Sequence, residues 1–229
     1  MPSPFDLTQW LSNEARDAFH AEARRKRLRQ GEIVYCQGDL GEGMYRLISG
    51  AIRLSVFRAD GRELLYLLFE PGDCFGMSAL IDDEPLPQTA EAASDLEVEV
   101  VGRAAFGRLR AQHRSFDDAL LRVVTRHMRA LSTFFAEAHL KGMPARVAGR
   151  VLAAAKSFGQ PAKEGICLSI PLSQSELARM VGGSRQTVNK VLQDFHQDGI
   201  ISISGGRLLI HSISDLEERA ARLASPPIG

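Results

Sequence analysis

PLSQSELARMVGGSRQTVNKVLQDFHQDGIISISGGRLLI, residues 171–210, is the stretch from which the fold is read. Ser173-Gln174-Ser175-Glu176 has the spacing of a capping box, in which a serine oxygen and a glutamate carboxylate satisfy the N–H groups that an opening helix leaves orphaned. It predicts a helix running to about Val181. Gly182-Gly183 supplies the backbone freedom for a tight turn, and Ser184 is a good N-cap for a second helix. In that helix Val188, Val191, Leu192 and Phe195 fall at i, i+3, i+4 and i+7, which is one buried face. Downstream, Ile200–Ile203 and Arg207–Ile210 flank Gly205-Gly206, the pattern of a two-residue hairpin. Two helices across a glycine turn, closed by a hairpin, predict a winged helix-turn-helix.

The outer face of the second helix carries Arg185, Gln186, Asn189, Lys190 and Gln193. These are donor-rich side chains on the turns where a recognition helix meets base edges. Arg and Lys pair with guanine O6 and N7, and Gln and Asn with adenine N6 and N7. Arg207, on the wing, is placed to reach a phosphate. The rival reading, a helical hairpin with solvated polar residues, must produce cap, apolar spacing, polar face and wing together by coincidence. Charge agrees with the DNA reading once it is divided. The chain is neutral overall, but residues 1–142 hold 18 Lys and Arg against 21 Asp and Glu, and residues 143–229 hold 10 against 7. Polyanion contact belongs to the rear.

Working forward from the N-terminus, residues 5–23 read as helical. The basic run Arg24-Arg25-Lys26-Arg27 that follows reads as a solvated face. From Leu28 to Val101 the texture is short strands punctuated by glycine, at Gly31, Gly38, Gly41, Gly43 and Gly50. Ala51–Arg58 and Glu63–Phe69 form a hairpin around Ala59-Asp60-Gly61-Arg62, and Leu96, Val98 and Val100 alternate with Glu97 and Glu99. Such a series predicts a small antiparallel roll. The period then changes. Leu121, Val124, Met128, Leu131, Phe135 and Ala138 are spaced as a heptad seam. Beside it runs a second stripe, Leu120, Val123, His127, Ala130 and Phe134. Two stripes mean burial on two sides: one against the roll, one against the same helix of a second subunit. No other long amphipathic helix precedes this one to offer a partner within the chain. Gly142 suits a C-terminal cap and Pro144 the first turn of the next helix, Ala145–Phe158, which a Gly/Pro/Lys-rich connection joins to Gly165. The fold class is α+β: an N-terminal antiparallel β-roll of double-stranded β-helix (jelly-roll) type over 1–112, a dimerisation helix over 113–142, and a winged helix-turn-helix over 143–229.

At this point the chain resembles a known family. Ser184-Arg185-Gln186-Thr187-Val188-Asn189-Lys190 is similar to the recognition-helix motif of the Crp/Fnr regulators. Gly50 with its flanking strands, Glu70-Pro71-Gly72-Asp73 and Phe75-Gly76 resemble that family's cyclic-nucleotide-binding-type roll. The resemblance runs from about Leu28 to His211 in the family's order of parts. It implies a homodimer that sets two recognition helices in successive major grooves of an inverted-repeat promoter site, acting with RNA polymerase. It places Arg185, Gln186 and Lys190 at base-reading positions and Thr187 and Gln174 at phosphate contacts. Gln186 departs from the family's common Glu, so the half-site sequence does not carry over.

The sensor departs further. In cyclic-AMP-binding members a Glu after the Phe-Gly pair holds the ribose, an Arg-Ser pair the phosphate, and a Thr-Ser pair on the dimer helix the adenine. Here those places hold Met77, Gln88-Thr89 and Leu131-Ser132. Met accepts nothing from a ribose hydroxyl and Gln brings no charge to a phosphodiester, so a bound anion would lie unpaired. These departures argue against cyclic AMP. An iron–sulfur cluster is disfavoured because no cysteine precedes Cys36. Haem stays a minor alternative: Gly76 and Ser78 stand where the carbon-monoxide-sensing members carry ligands, although Pro2, Cys74 and Met77 are near. A weakly polar ligand lined by Met77, Ser78, Thr89, Leu131 and Ser132, or a pocket filled by its own side chains, remain open alternatives.

Other chemistry is sparse. Cys36, Cys74 and Cys167 fit no disulfide framework or C-x-x-C site; Cys36 and Cys74 form a redox pair if the roll brings them together, and otherwise read as buried and inert. His127, within an apolar stripe, reads as a satisfied core or interface histidine. His113, His139, His196 and His211 show no metal-ligand spacing, so no metal site is expected. No P-loop, G-x-S-x-G, H-E-x-x-H or dinucleotide turn supports an enzyme. A regulatory subunit that binds a partner protein through its roll is the remaining rival. Met1–Leu11 has no signal-peptide pattern, and no apolar run approaches the roughly 20 residues that span a bilayer. The expected compartment is the cytoplasm, with no membrane contact.

Overall fold

A computed structural model describes residues 3–204 and 207–222. The chain divides into two compact units, residues 1–63 with 67–131 and residues 64–66 with 132–229, so the division falls within the long helix.

The first unit opens with a 3-10 turn, Leu7–Trp10, and helix α1, Asn13–Glu22. Strands β1 (Arg24–Leu28), β2 (Ile33–Tyr35), β3 (Gly43–Ser49), β4 (Ile52–Phe57), β5 (Glu63–Phe69) and β6 (Cys74–Phe75) follow. After the single turn α2 (Ser78–Ile81) come β7 (Thr89–Ala92) and β8 (Leu96–Gly102). They form two four-stranded sheets, ordered β1-β8-β3-β6 and β2-β7-β4-β5. Apart from the consecutive pair β4 and β5, the neighbours are distant in sequence, and the pairings β1–β8, β2–β7, β3–β6, β3–β8 and β4–β7 are antiparallel, which is the expected roll. Between β3 and β4 the chain reverses at Gly50, whose φ is +88° and where a Cβ would stand 2.5 Å from the Asp95 carbonyl oxygen. Only glycine fits both conditions.

The roll begins earlier than its sequence texture indicates. Arg24-Arg25-Lys26-Arg27 is solvent-exposed, as expected, but it forms edge strand β1, paired residue by residue with β8. Arg25 and Arg27 reach Glu97 at 3.5 and 3.8 Å. Four successive cations hide a period of two, yet a charged edge strand is a standard guard against sheet-to-sheet aggregation. The alternation along β8 also fails, at Glu99, which is buried. Its carboxylate meets Arg46 at 3.3 Å and His20 at 3.1 Å. The cause is a cover that the sequence did not reveal. Helix α3, Arg103–Gln112, directly precedes the long helix, and its Phe106 and Leu109 join Phe19 of α1 and Val101 of β8 in one apolar cluster.

Helix α4 spans Arg114–Leu140, about 40 Å at 1.5 Å per residue. Of the stripe expected to face the roll, Leu120 and Val123 are buried in that cluster with Phe116, whereas His127, Ala130 and Phe134 are half-buried. The other stripe stands open: Leu121, Met128 and Phe135 are 66, 61 and 65% exposed, and Val124, Leu131 and Ala138 are exposed as well.

The second unit contains α5 (Met143–Phe158), β9 (Gly159–Ala162), β10 (Gly165–Leu168), α6 (Gln174–Val181) and α7 (Arg185–Gln197). Strands β11 (Ile201–Ser204) and β12 (Arg207–Ile210) and helix α8 (Ile213–Ala221) complete it. Gly142 is extended, at φ −67° and ψ 165°, and is the N-cap of α5 rather than a left-handed cap of α4. The segment from Gly159 to Gly165 is not a linker. It is hairpin β9–β10, which widens the wing into a four-stranded sheet ordered β11-β12-β10-β9. Pro161 is tolerated there because β9 is an edge strand. Pairing of β11 with β12 confirms the wing strands; the turn assigned to Gly205-Gly206 lies outside the described residues, as does Pro2.

Candidate nucleic-acid interface

Two local devices build the interface. Ser173 Oγ accepts from Glu176 N at 3.2 Å while Glu176 Oε2 accepts from Ser173 N at 2.8 Å, closing the capping box of α6. That helix ends at Gly182, whose φ of +63° is left-handed. Arg146 of α5 donates to the Val181 carbonyl at 2.7 Å, which ties the end of α6 to the unit's central helix. Ser184 Oγ then accepts from Thr187 N at 3.1 Å, so α7 starts with a satisfied cap.

Helix α7 divides as its spacing requires. Val188, Val191, Leu192 and Phe195 are buried. Arg185, Gln186, Thr187 and Lys190 are exposed on its first two turns, and Arg207 is exposed on β12. Cationic and amide donors thus project from a helix whose start and inner face are both fixed. Four of the residues assigned to DNA contact have additional work within the chain. Ser184 and Thr187 share a hydroxyl contact of 2.8 Å. Asn189 is half-buried, and its Oδ1 accepts from Gln174 Nε2 at 2.8 Å. That amide pair is a contact which no spacing in the sequence signals.

The residues assigned to an effector pocket are placed differently from one another. Met77 is buried in the apolar cluster with Met44, Phe116 and Leu120. Ser78 opens α2. Thr89 is buried on β7, and its Oγ1 accepts from Gln37 N at 3.0 Å. Leu131 and Ser132 are exposed on α4. In the first unit, the rings of Tyr35, Tyr45, Phe75 and Phe69 form a chain with centroids 5.3–5.7 Å apart.

His127 continues that chain, with its ring 5.6 Å from Phe69 and 4.4 Å from Phe5. Its Nε2 is buried without a hydrogen-bond partner, so the histidine expected to be satisfied is not. Burial pushes its pKa down to about 4. Under the same N-terminal segment, burial pushes the Asp73 carboxyl up to about 7, against the opposing pull of hydrogen bonds from Ser3 and Glu70. The cysteines differ from expectation in one case. Cys74 is buried and its thiol is pushed up by burial, whereas Cys36 is exposed because it sits in the turn leaving β2, its N–H bonded to Asp39.

Comparison with known proteins covers both units. Residues 25–113 match the cyclic nucleotide-binding domain family and residues 145–219 the Crp-like helix-turn-helix domain. The CRP-like cAMP-activated global transcriptional regulator of Mycobacterium tuberculosis is 34% identical over 193 residues, 83% of this chain and 85% of that protein. The cyclic AMP receptor protein of Thermus thermophilus is 27% identical over 218 residues, 95% of this chain and 98% of that one. Among solved structures, a CRP-family transcriptional regulator from Thermus thermophilus superposes with a TM-score of 0.75 at 27% identity, covering 86% of this chain and 97% of its own. The first and third of these are named as transcriptional regulators and the second as a cyclic AMP receptor protein; none is named as an enzyme. Among the described residues, no helix is long and apolar enough to cross a membrane.

Proposed function

Because the chain belongs to the Crp family of transcription regulators, we propose that it binds an inverted-repeat promoter site as a homodimer without needing cyclic AMP. The observation that carries the DNA reading is the first two turns of α7, where Arg185, Gln186 and Lys190 stand exposed on a helix capped by Ser184. In a major groove Arg185 and Lys190 donate to guanine acceptors and Gln186 pairs with adenine. Arg207 on β12 and the hydroxyl of Thr187 meet backbone phosphates, which position the helix and carry no sequence information.

Dimerisation follows from the open stripe on α4. Six apolar side chains at heptad spacing stand in water in a single chain, and a second copy about a two-fold axis buries the same stripe from both sides. Two recognition helices then address half-sites one helical turn apart, about 34–36 Å. The regulator acts on promoter DNA in the cytoplasm, together with RNA polymerase.

The relative from Mycobacterium tuberculosis is cAMP-activated by name; the proposal departs from it on chemistry. The position where a ribose needs a carboxylate holds Met77, buried among apolar side chains. The Thr89 hydroxyl already accepts a backbone bond from Gln37. The test is selection of duplexes from a randomised pool by the purified protein, with and without added cyclic AMP. The expected result is one enriched inverted repeat in both arms. Enrichment only with cyclic AMP refutes the effector proposal, and no enrichment by a folded dimer in either arm refutes the DNA reading.

A further inference from the structure

The outer face of α7 is not uniform. Each helical residue turns about 100° about the axis, so the direction opposite the buried stripe is that of Gln186, Lys190 and Gln193. Asn189 lies to one side of that direction, over a cleft of about 170 Å³ that it lines with Gln174, Leu192, His196 and Ile203. Within the cleft Gln174, the first residue of α6, donates its amide to Asn189 Oδ1 at 2.8 Å. The contact commits one of the two Gln174 amide N–H groups and one of the two lone pairs of the Asn189 carbonyl, and so fixes the direction of both side chains. A bidentate adenine contact needs the Asn carbonyl to accept from adenine N6, yet that carbonyl is turned toward α6. A phosphate contact needs the Gln174 amide, yet that amide is turned toward α7.

Resting on the DNA-binding reading above, we propose that Gln174 and Asn189 are positioning residues that act on each other rather than on DNA. Their pair ties the first turn of α6 to the second turn of α7. The helix is anchored along its inner face by apolar packing, which resists separation far better than small rotation about the axis. A directional bond at the flank opposes that rotation and holds Gln186 and Lys190 at the angle at which they meet bases. Asn189 therefore contributes to affinity through geometry, and base preference resides in Arg185, Gln186 and Lys190.

The test measures binding of the full-length dimer to the duplex that the wild type selects. Gln174→Ala and Asn189→Ala should each weaken binding about three- to tenfold, the range expected for loss of one neutral side-chain hydrogen bond. The double variant should bind no worse than the weaker single variant, because both substitutions remove the same interaction. The exchanged pair, Gln174→Asn with Asn189→Gln, keeps the combined side-chain length and should recover affinity to within about twofold of wild type, by the same logic. Selection profiles of both single variants should retain the wild-type preference at every half-site position. Losses that multiply in the double variant, an exchanged pair as weak as the double alanine, or relaxed preference at one position in Asn189→Ala each overturn the proposal. Failure of the wild type to select any duplex would instead strike the DNA reading itself.

Discussion

Replacing His127 with Phe should make the stability of the β-roll unit less sensitive to acid, by an amount that the structure sets. The ring lies between Phe5 and Phe69 with its Nε2 buried and unbonded, and burial lowers its pKa from 6.5 to about 4. A histidine whose folded pKa is depressed favours the fold while neutral. Its contribution is complete above pH 6.5 and is lost as the pH falls through 6.5 toward 4, because the unfolded chain takes up the proton first. The full loss is about 3 kcal/mol, and between pH 7.5 and pH 5 it is about 2 kcal/mol, at 1.36 kcal/mol per pKa unit. Asp73 titrates in the opposite sense over the same interval, so the pH dependence of the wild type alone does not isolate the histidine. The difference between His127→Phe and wild type does. The assay is urea unfolding at fixed ionic strength and fixed protein concentration, followed by fluorescence of Trp10, the only tryptophan in the chain. Trp10 reports on this unit because the Arg126 guanidinium lies 4.6 Å over its ring. The stability advantage of His127→Phe should grow by about 2 kcal/mol from pH 7.5 to pH 5. A difference constant to within about 0.5 kcal/mol, half the expected net worth of a hydrogen bond, would mean that His127 takes up its proton as readily in the fold as in the unfolded chain and that its environment is misread.

Asp73→Asn tests the opposing group. An acid whose folded pKa is raised from 3.8 to about 7 stabilises the fold when protonated, and that contribution disappears as the pH rises through this window. Wild type should lose about 4 kcal/mol across it relative to Asp73→Asn; parallel pH profiles would contradict the assignment. Phe135→Glu or Leu131→Glu puts two carboxylates into the seam of the dimer, and sedimentation at micromolar concentration should then show monomer. A dimer that persists in both variants would place the interface elsewhere. Arg185→Ala should weaken binding to the selected duplex by about 1–3 kcal/mol and relax preference at one half-site position. An equal loss on unrelated duplexes would make Arg185 a phosphate contact instead.

The parts of this protein that were legible in its sequence are those whose causes are local. The capping box at Ser173 and Glu176, the cap at Ser184 and the stripe from Val188 to Phe195 each depend on residues within two helical turns, so spacing alone reveals them. The two stripes of α4 were equally legible, since a helix that is apolar on two sides must be covered on two sides. The structure then separated them, burying Leu120 and Val123 while leaving Leu121 and Phe135 exposed. Period fails where charge conceals it, as in strand β1, and where glycine and proline lie in a strand, as in β9.

What only the tertiary structure decided are relations between residues far apart in the chain. Glu99 looks like an outward strand position until α1 and α3 cover its face and Arg46 and His20 come to hold its carboxylate. His127 becomes an unsatisfied base because the N-terminal segment brings Phe5 against it. Gln174 and Asn189, fifteen residues apart, face each other only because the left-handed turn at Gly182 folds α7 back beside α6. Helix starts and apolar faces are set by hydrogen bonds and burial within a few residues, and these the sequence by itself determined. Which polar groups lose water, and which partner they then find, depends on the path of the chain between distant segments, and local spacing carries no record of that path.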